Sequence, residues 1–526
     1  MHAINQNTAL ESKLLASRFL EQALLITILA HAAAMLSMAL LLLPGMPGGS
    51  NDLAARVAYV ASHPWLWRLG WLPWHLTALS DLLIAVALLR TAWIPRIPAI
   101  LVMITTLAAI LIEQPGEVSW ITQGVALAQT SLQNGNLTPY LQYESHIYLQ
   151  IAAWAATLYT ITACIWTWCF ARAKVWHPRL LWLSGITWGL LMAVSVGPLL
   201  PEPFRPGAAI IAAGNAIGFV LMLVWFSVVT ELVLRRSRPN SQFGRMSLWV
   251  HPRHHLVGQV FNTLANSRLA RAFGEWLPPV AFVSNITNVL YVNYLIEAER
   301  LAPLVPWGLE LQRLGPDRKY ALFTHLTYQH GHFGPALLGP FRRFMPSPVQ
   351  SNWRIYVRDP QTTLSGIYFV TTAISQTVPA LLARLLSEGI PMHVVKQGAV
   401  TANPDGSFDG YLDPGAGSAP DLLMSLRPSP HPALVSPWSS CFNSFDEMLA
   451  YAVPQDRAMS SQRWYNRVTR QEIQLGIPLD ACEPLIGTVV SKAADSIVGD
   501  AQPLCFRVAQ VTLRFTGEQH DYKNGH

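Results

Sequence analysis

Six stretches of the chain, at about 19–43, 69–89, 94–112, 147–170, 180–200 and 207–231, are apolar over the length a helix needs to cross a membrane. That length is roughly 20 residues for a hydrocarbon layer of about 30 Å. A span isolated in lipid must satisfy its own backbone donors and acceptors, so each stretch is predicted to be an α-helix. The charges follow the same division. Of the 36 Lys/Arg and 30 Asp/Glu, 10 and 9 fall in residues 1–234, and the remaining 26 and 21 fall in 235–526. Charged residues make up 13% of the whole chain, against roughly 25% in ordinary soluble proteins. The deficit belongs to the first half. A single soluble enzyme, a disordered scaffold and a secreted disulfide-rich domain are excluded. The expected organisation is a six-helix transmembrane domain at 1–234, a basic juxtamembrane connector at 235–279 and a water-soluble domain at 280–526.

Orientation follows from Lys and Arg beside the spans. One side carries Lys13, Arg18, Arg90, Arg96, Arg172, Lys174, Arg179, Arg235, Arg236 and Arg238; the other carries Arg56, Arg68 and Arg205. The 113–146 segment has no Lys or Arg, as an outer loop should. The expectation is an integral membrane protein, of a bacterial inner membrane, with both termini and the soluble domain in the cytoplasm. The first apolar run is too long for a secretory signal core and lacks an A-x-A-like end. A net charge of +6 is too small for a nucleic-acid partner. Five scattered cysteines without a C-x-x-C pair give no zinc or disulfide framework.

Polar residues inside a span are costly and mark candidate sites. His31 and Asp81 fall near mid-depth of the first two spans, where they form a proton relay, a ligand site or a packing hydrogen bond. His75, Glu113, Glu117, Glu144 and His146 lie at or near span ends, where they form a metal or substrate site or, as the favoured expectation, are solvated at the interface. Trp65, Trp67, Trp71 and Trp74 read as an interfacial belt. Asn215 between Gly214 and Gly218 reads as close helix packing. Residues 117–142 are too polar to span and are expected to form a loop or surface helix.

The connector has seven arginines between 235 and 275 against one acid, Glu275. Its apolar residues recur at helical spacing over 256–276, so a basic amphipathic helix lying on anionic lipid is expected. The lipid bilayer and a small-molecule ligand are the expected partners; the oligomeric state is left open. After Pro278 the texture turns to short β-branched and aromatic runs at 286–294, 320–328, 352–358, 365–372, 392–400, 421–426, 464–473 and 505–515, with helices at 376–388 and 443–453 and a Gly/Pro/Asp loop at 403–420. Many short strands with regular breaks predict a barrel or sandwich.

Within that half, Ile296-Glu297-Ala298-Glu299-Arg300-Leu301 leads into Val305-Pro306-Trp307-Gly308-Leu309-Glu310-Leu311. Then follow Gln350-Ser351-Asn352-Trp353-Arg354-Ile355-Tyr356-Val357 and Gly366-Ile367-Tyr368-Phe369. In order and spacing, about 285–515 resembles the family called domain of unknown function 2071, of the acetoacetate decarboxylase-like superfamily. The resemblance implies a closed, mostly antiparallel β-barrel with a central cavity. Decarboxylases of that superfamily use a lysine after a Gly-x-Pro turn to form a Schiff base, a nucleophile whose pKa must be depressed. Here Gly389-Ile390-Pro391 is followed by Met392 and His393. Decarboxylase activity is therefore not expected, and His393 and Lys396 are the weak catalytic candidates that remain.

Alternate strand residues share a face, so Gln350, Asn352, Arg354 and Tyr356 form one row and Ser351, Trp353, Ile355 and Val357 the other. Arg354 is the candidate carboxylate clamp, oriented by Asn352, Tyr356 and Gln350; in the opposite reading the polar row faces water. His325, His330 and His332 have a spacing that can hold zinc, but no carboxylate lies nearby, and no metal or cofactor is expected. Three functions stay open: a membrane-anchored barrel binding a small apolar or carboxylated ligand, a membrane-anchored lyase or hydrolase, and a transporter or redox protein with a regulatory soluble domain.

Overall fold

Each of the six apolar stretches folds as a helix, and the termini of those helices are longer than hydropathy alone marks. The computed structural model describes residues 2–47, 49, 52–91, 93–174, 176–237, 248–462 and 465–523. Arg238, Arg245, Trp464 and the side chain of Lys13 lie outside the described residues. The chain divides into two units, Met1–Ser237 and Arg238–His526.

The first unit contains α1 (His2–Ser37), α2 (Leu53–Ser62), α3 (Pro64–Arg90), α4 (Arg96–Ser119), α5 (Val125–Gln133), α6 (Thr138–Tyr148), α7 (Ala156–Arg172), α8 (Pro178–Val196) and α9 (Ala208–Ser237). Six helical runs are long and apolar enough to cross a membrane: Arg18–Gly45, Pro64–Arg90, Arg96–Gln133, Thr138–Arg172, Pro178–Leu199 and Ala208–Ser237. The long helices neighbour one another in a closed ring, α1–α3–α4–α7–α8–α9 and back to α1. Their outward faces leave large apolar side chains uncovered, Leu40, Ile97, Leu111 and Trp182 among them, which water would penalise and lipid would not. Small residues set the close approach of α8 and α9. A Cβ on Gly214 would come within 2.6 Å of Val194, and one on Gly218 within 2.6 Å of Leu191.

Of the two forms expected for 117–142 the structure has helix: α4 runs through a π-helical turn at Trp120–Gly124 into α5, and the chain reverses only at 134–137. Two expectations are corrected here. Glu113, Glu117 and Glu144 are buried rather than solvated. Arg56 of α2 holds Glu144 at 2.8 Å and His75 holds Glu117 at 2.9 Å, and the Tyr159 hydroxyl donates to Glu113 at 2.6 Å; only His146 is exposed. The tryptophan belt reduces to Trp65, because Trp67 and Trp71 pack with Trp120 in the core of the unit. Positions 67, 71 and 74 follow helical period, so they share an inward face.

The second unit opens with α10 (Leu256–Ala265) and α11 (Arg268–Gly274). The strands are β1 (Phe282–Glu297), β2 (Glu310–Leu311), β3 (Tyr320–Pro335), β4 (Val349–Arg358), β5 (Ser365–Ile374), β6 (Met392–Val394), β7 (Gln397–Ala402), β8 (Phe408–Asp413), β9 (Leu422–Pro428), β10 (Arg457–Gln462), β11 (Arg467–Gln474), β12 (Cys482–Val490), β13 (Leu504–Phe515) and β14 (Gln519–Tyr522). Between them lie α12 (Ala298–Leu301), α13 (Thr377–Leu386), α14 (Phe445–Ala452) and α15 (Lys492–Val498). The sheet is mostly antiparallel; the β5–β6 and β5–β10 pairings are parallel. Pairing runs β1–β3–β4–β5–β10–β11–β13 and returns to β1, closed by the short pairing of Ile473 and Gln474 with Phe515 and Arg514.

The 403–420 segment is not all loop, because Phe408–Asp413 alternates buried Phe408, Gly410 and Leu412 with exposed Asp409 and Tyr411. That period-two pattern makes β8, which pairs with β7 and β9. The predicted 392–400 run is two strands, split where Val395 and Lys396 turn the chain. The connector helices pack on α13: Ala265 and Phe261 join Trp249, Ile374 and Met392 in one apolar cluster, and Arg271 donates to the Arg384 carbonyl at 2.7 Å.

Candidate functional site

The central strands are buried on both faces, which overturns the reading of β4 in which the polar row faces water. Trp353, Ile355 and Val357 pack with Phe408, Leu412 and Met424 in one core. Tyr356 packs in a second core with Tyr291, Tyr328, Phe369 and the α14 residues Phe445, Met448 and Leu449. The polar row therefore faces protein, not water: Gln350, Asn352 and Arg354 are each 5% exposed or less and Tyr356 is 0%. A bulge at this point, where Trp353 pairs with Thr371 but Arg354 with Phe369, leaves Val370 as the extra residue on β5.

Arg354 is the chemical centre of this row. Its guanidinium lies 5.6 Å from the Tyr291 ring and 5.5 Å from the Tyr356 ring, within cation–π range. Its Nη2 reaches Tyr356 Oη at 3.4 Å and the Ala452 carbonyl at 3.3 Å, both long for a charge-assisted bond. Its Nε has no acceptor, and no carboxylate pairs with it among the described residues. A buried cation so poorly satisfied is costly. The Tyr356 hydroxyl in turn meets Thr324 Oγ1 at 3.0 Å and donates to Ala452 at 3.2 Å, and Thr324 donates to Asn293 Oδ1 at 2.8 Å.

Beside it runs a neutral chain: Ser284 to His330 Nδ1 (2.8 Å), His330 Nε2 to Gln350 Oε1 (2.9 Å), Gln350 to Asn352 (2.7 Å) and Asn352 to Tyr328 (3.0 Å). Burial lowers the His330 pKa to about 4, against the opposing bond to Gln350, so the ring is neutral at pH 7. Burial also pushes the Tyr291 hydroxyl up to about 12, with Arg354 working the other way. The end of α14 closes over the row: Ala452 supplies the shared carbonyl and Tyr451 stacks on Tyr356 at 5.6 Å. Ser444 caps this helix, accepting from Glu447 N at 3.1 Å.

The other candidates fall elsewhere. His393 lies opposite Ala373, on the face away from Arg354, with its Nδ1 at 2.7 Å from Ser418 Oγ. Lys396 is half-exposed and paired with Asp413 at 3.2 Å. The histidine trio does not converge, since His325 stacks on Trp353, His330 faces the polar row and His332 is exposed. In the first unit His31 Nε2 and Asp81 Oδ2 stand 4.0 Å apart. The contributions of Asn293, Tyr291, Thr324 and Tyr328 were not singled out from sequence. Tyr291 and Asn293 are two apart on β1, but Leu326 separates Thr324 from Tyr328 on β3, so alternation alone gives no signal for the set.

Residues 284–398 match the model of the DUF2071 family, described as an uncharacterized conserved protein. The second unit carries a DUF2071 segment. The match begins in β1, spans the Arg354 strand and ends in β7. No curated protein matches the chain in sequence. Similar solved structures include an enduracididine biosynthesis enzyme, MppR, with HEPES buffer bound, at 15% identity and a TM-score of 0.31 over 47% of this chain and 89% of that one. Another is an acetoacetate decarboxylase-like enzyme from Sphingomonas wittichii RW1, at 10% identity and a TM-score of 0.33 over 47% of this chain and 95% of that one.

Proposed function

We propose that this is a multi-pass membrane protein whose DUF2071-containing unit binds a small carboxylated molecule on Arg354. The observation that carries this reading is a buried guanidinium with long bonds only and an unused Nε, walled by the aromatic rings of Tyr291 and Tyr356. A carboxylate supplies the missing charge and the bidentate acceptor that an arginine fork fits. In this reading the ring of strand pairings is a closed barrel, the polar row lines its interior, and α14 is the element that a ligand must displace or pass. The apolar outward faces of the first unit and the uneven flanking charge favour insertion in a bilayer with the second unit on the cytoplasmic side.

The test is thermal unfolding of the full chain in detergent, titrated with short carboxylates such as pyruvate and butyrate and with their neutral amides. A saturable rise in Tm with a carboxylate, absent with its amide and absent in Arg354→Met, is expected. No shift with any carboxylate, or an equal shift in the variant, overturns the reading.

A further inference from the structure

The ring of long helices in the first unit lines a partly open cavity of about 460 Å³ to which all six contribute. That volume is in the range of small-molecule sites rather than of packing defects. Its wall is aromatic, with Trp71, Trp74, Trp166 and Trp188 among the lining residues. Into this wall are set two carboxyl groups, Asp81 and Glu113, and no Lys or Arg.

The hydrogen bonds show what the cavity lacks. His31 Nδ1 lies 2.9 Å from the Thr27 carbonyl, which can only accept, so Nδ1 carries the proton and Nε2 is the acceptor of the neutral ring. That Nε2 faces Asp81 Oδ2 at 4.0 Å, and Asp81 makes no hydrogen bond among the described residues. Glu113 is held by an accepted bond from Tyr159. The site thus sets two acceptors, Asp81 and His31 Nε2, 4.0 Å apart in an aromatic wall whose Trp71, Trp74 and Trp188 N–H groups have no acceptor among the described residues. An acidic residue at this depth of a span calls for a partner, and aromatic faces attract cations.

We propose that this cavity binds a lipophilic organic ammonium ion, its N–H groups donating to Asp81 and His31 Nε2 and its apolar body lying against the tryptophans. The proposal rests on the first unit being membrane-embedded, but not on the Arg354 site.

The experiment uses the full chain in detergent and follows tryptophan fluorescence during titration with 4-phenylbutylamine and, separately, its neutral isostere 4-phenylbutanol. Saturable quenching by the amine, at least tenfold tighter than by the alcohol, is expected. Asp81→Asn should remove that preference, Ala156→Phe should weaken both probes by filling the cavity, and Arg354→Met should leave both unchanged. Equal binding of amine and alcohol overturns the proposal, as does a preference that survives both Asp81→Asn and Glu113→Gln. Extraction of native membranes with alkaline carbonate tests the embedding separately: release of the protein overturns the membrane reading whatever the titration shows.

Discussion

Arg354 and Tyr356, two residues apart on one face of β4, converge on a single acceptor, the carbonyl of Ala452 at the end of α14. One backbone oxygen from a helix thus serves a strand's cation and its phenol, and neither bond is short. This contact ties α14 to the polar row.

Removing the guanidinium should be tolerated without ligand. Arg354→Met takes away a buried charge with no carboxylate partner among the described residues and leaves the Tyr356–Ala452 bond in place. Replacing such a charge by an apolar side chain is often neutral or stabilising. Thermal unfolding of the ligand-free variant should give a Tm equal to or above that of wild type; a fall of many degrees would mean that Arg354 is structural.

Tyr356→Phe should cost more than its single oxygen suggests. The hydroxyl serves Thr324, Arg354 and Ala452, and an abandoned buried polar group costs roughly 1–3 kcal/mol. Chemical denaturation should show a loss on the order of 2 kcal/mol.

Acid should weaken the second unit through its buried histidines. Burial holds His330 at about 4 and His325 at about 3, both below the usual value of 6.5, so the unfolded chain binds protons that the folded one refuses. Their stabilising contribution is complete above about pH 6.5 and is lost as pH falls toward 4 for His330 and 3 for His325. At roughly 1.4 kcal/mol per pKa unit, His330 alone accounts for about 3 kcal/mol. Denaturation midpoints between pH 4 and 7 should rise with pH, and His330→Gln should flatten the slope.

His325→Phe should stabilise. Both ring nitrogens are buried without a partner among the described residues, and the ring stacks on Trp353 at 4.9 Å. Phenylalanine keeps the stack and removes two orphaned polar atoms. A midpoint in urea above that of wild type, by about 1 kcal/mol of stability, is the expected result.

In the first unit, the buried pair Arg56–Glu144 is exposed to a sharper test. Arg56→Leu strands a carboxylate that is 2% exposed, at a cost of roughly 3–5 kcal/mol. Adding Glu144→Leu should restore most of the thermal stability in detergent, because the double variant leaves neither charge behind.

How far the fold could be read from the chain depended on the range of the cause. The six spans, the inward and outward rows of β4 and the helices at 377–386 and 445–452 follow from hydropathy and from local periods of 3.6 and 2. They involve only neighbours in sequence, and were legible there. The row Gln350–Tyr356 could be drawn from alternation, but alternation does not say what lies above a face; water and a second core give the same pattern. That was decided by α14, nearly a hundred residues away in the chain. The same holds for Glu113, Glu117 and Glu144, which hydropathy placed at solvated span ends and which tertiary partners bury. The sequence by itself determined six long apolar helices ahead of a more highly charged, strand-rich half, and which side chains share a face. Only the tertiary structure decided that His31 meets Asp81 in the wall of a cavity and that Arg354 lies buried without a counterion among the described residues, because pairing distant segments is a property of packing, not of period.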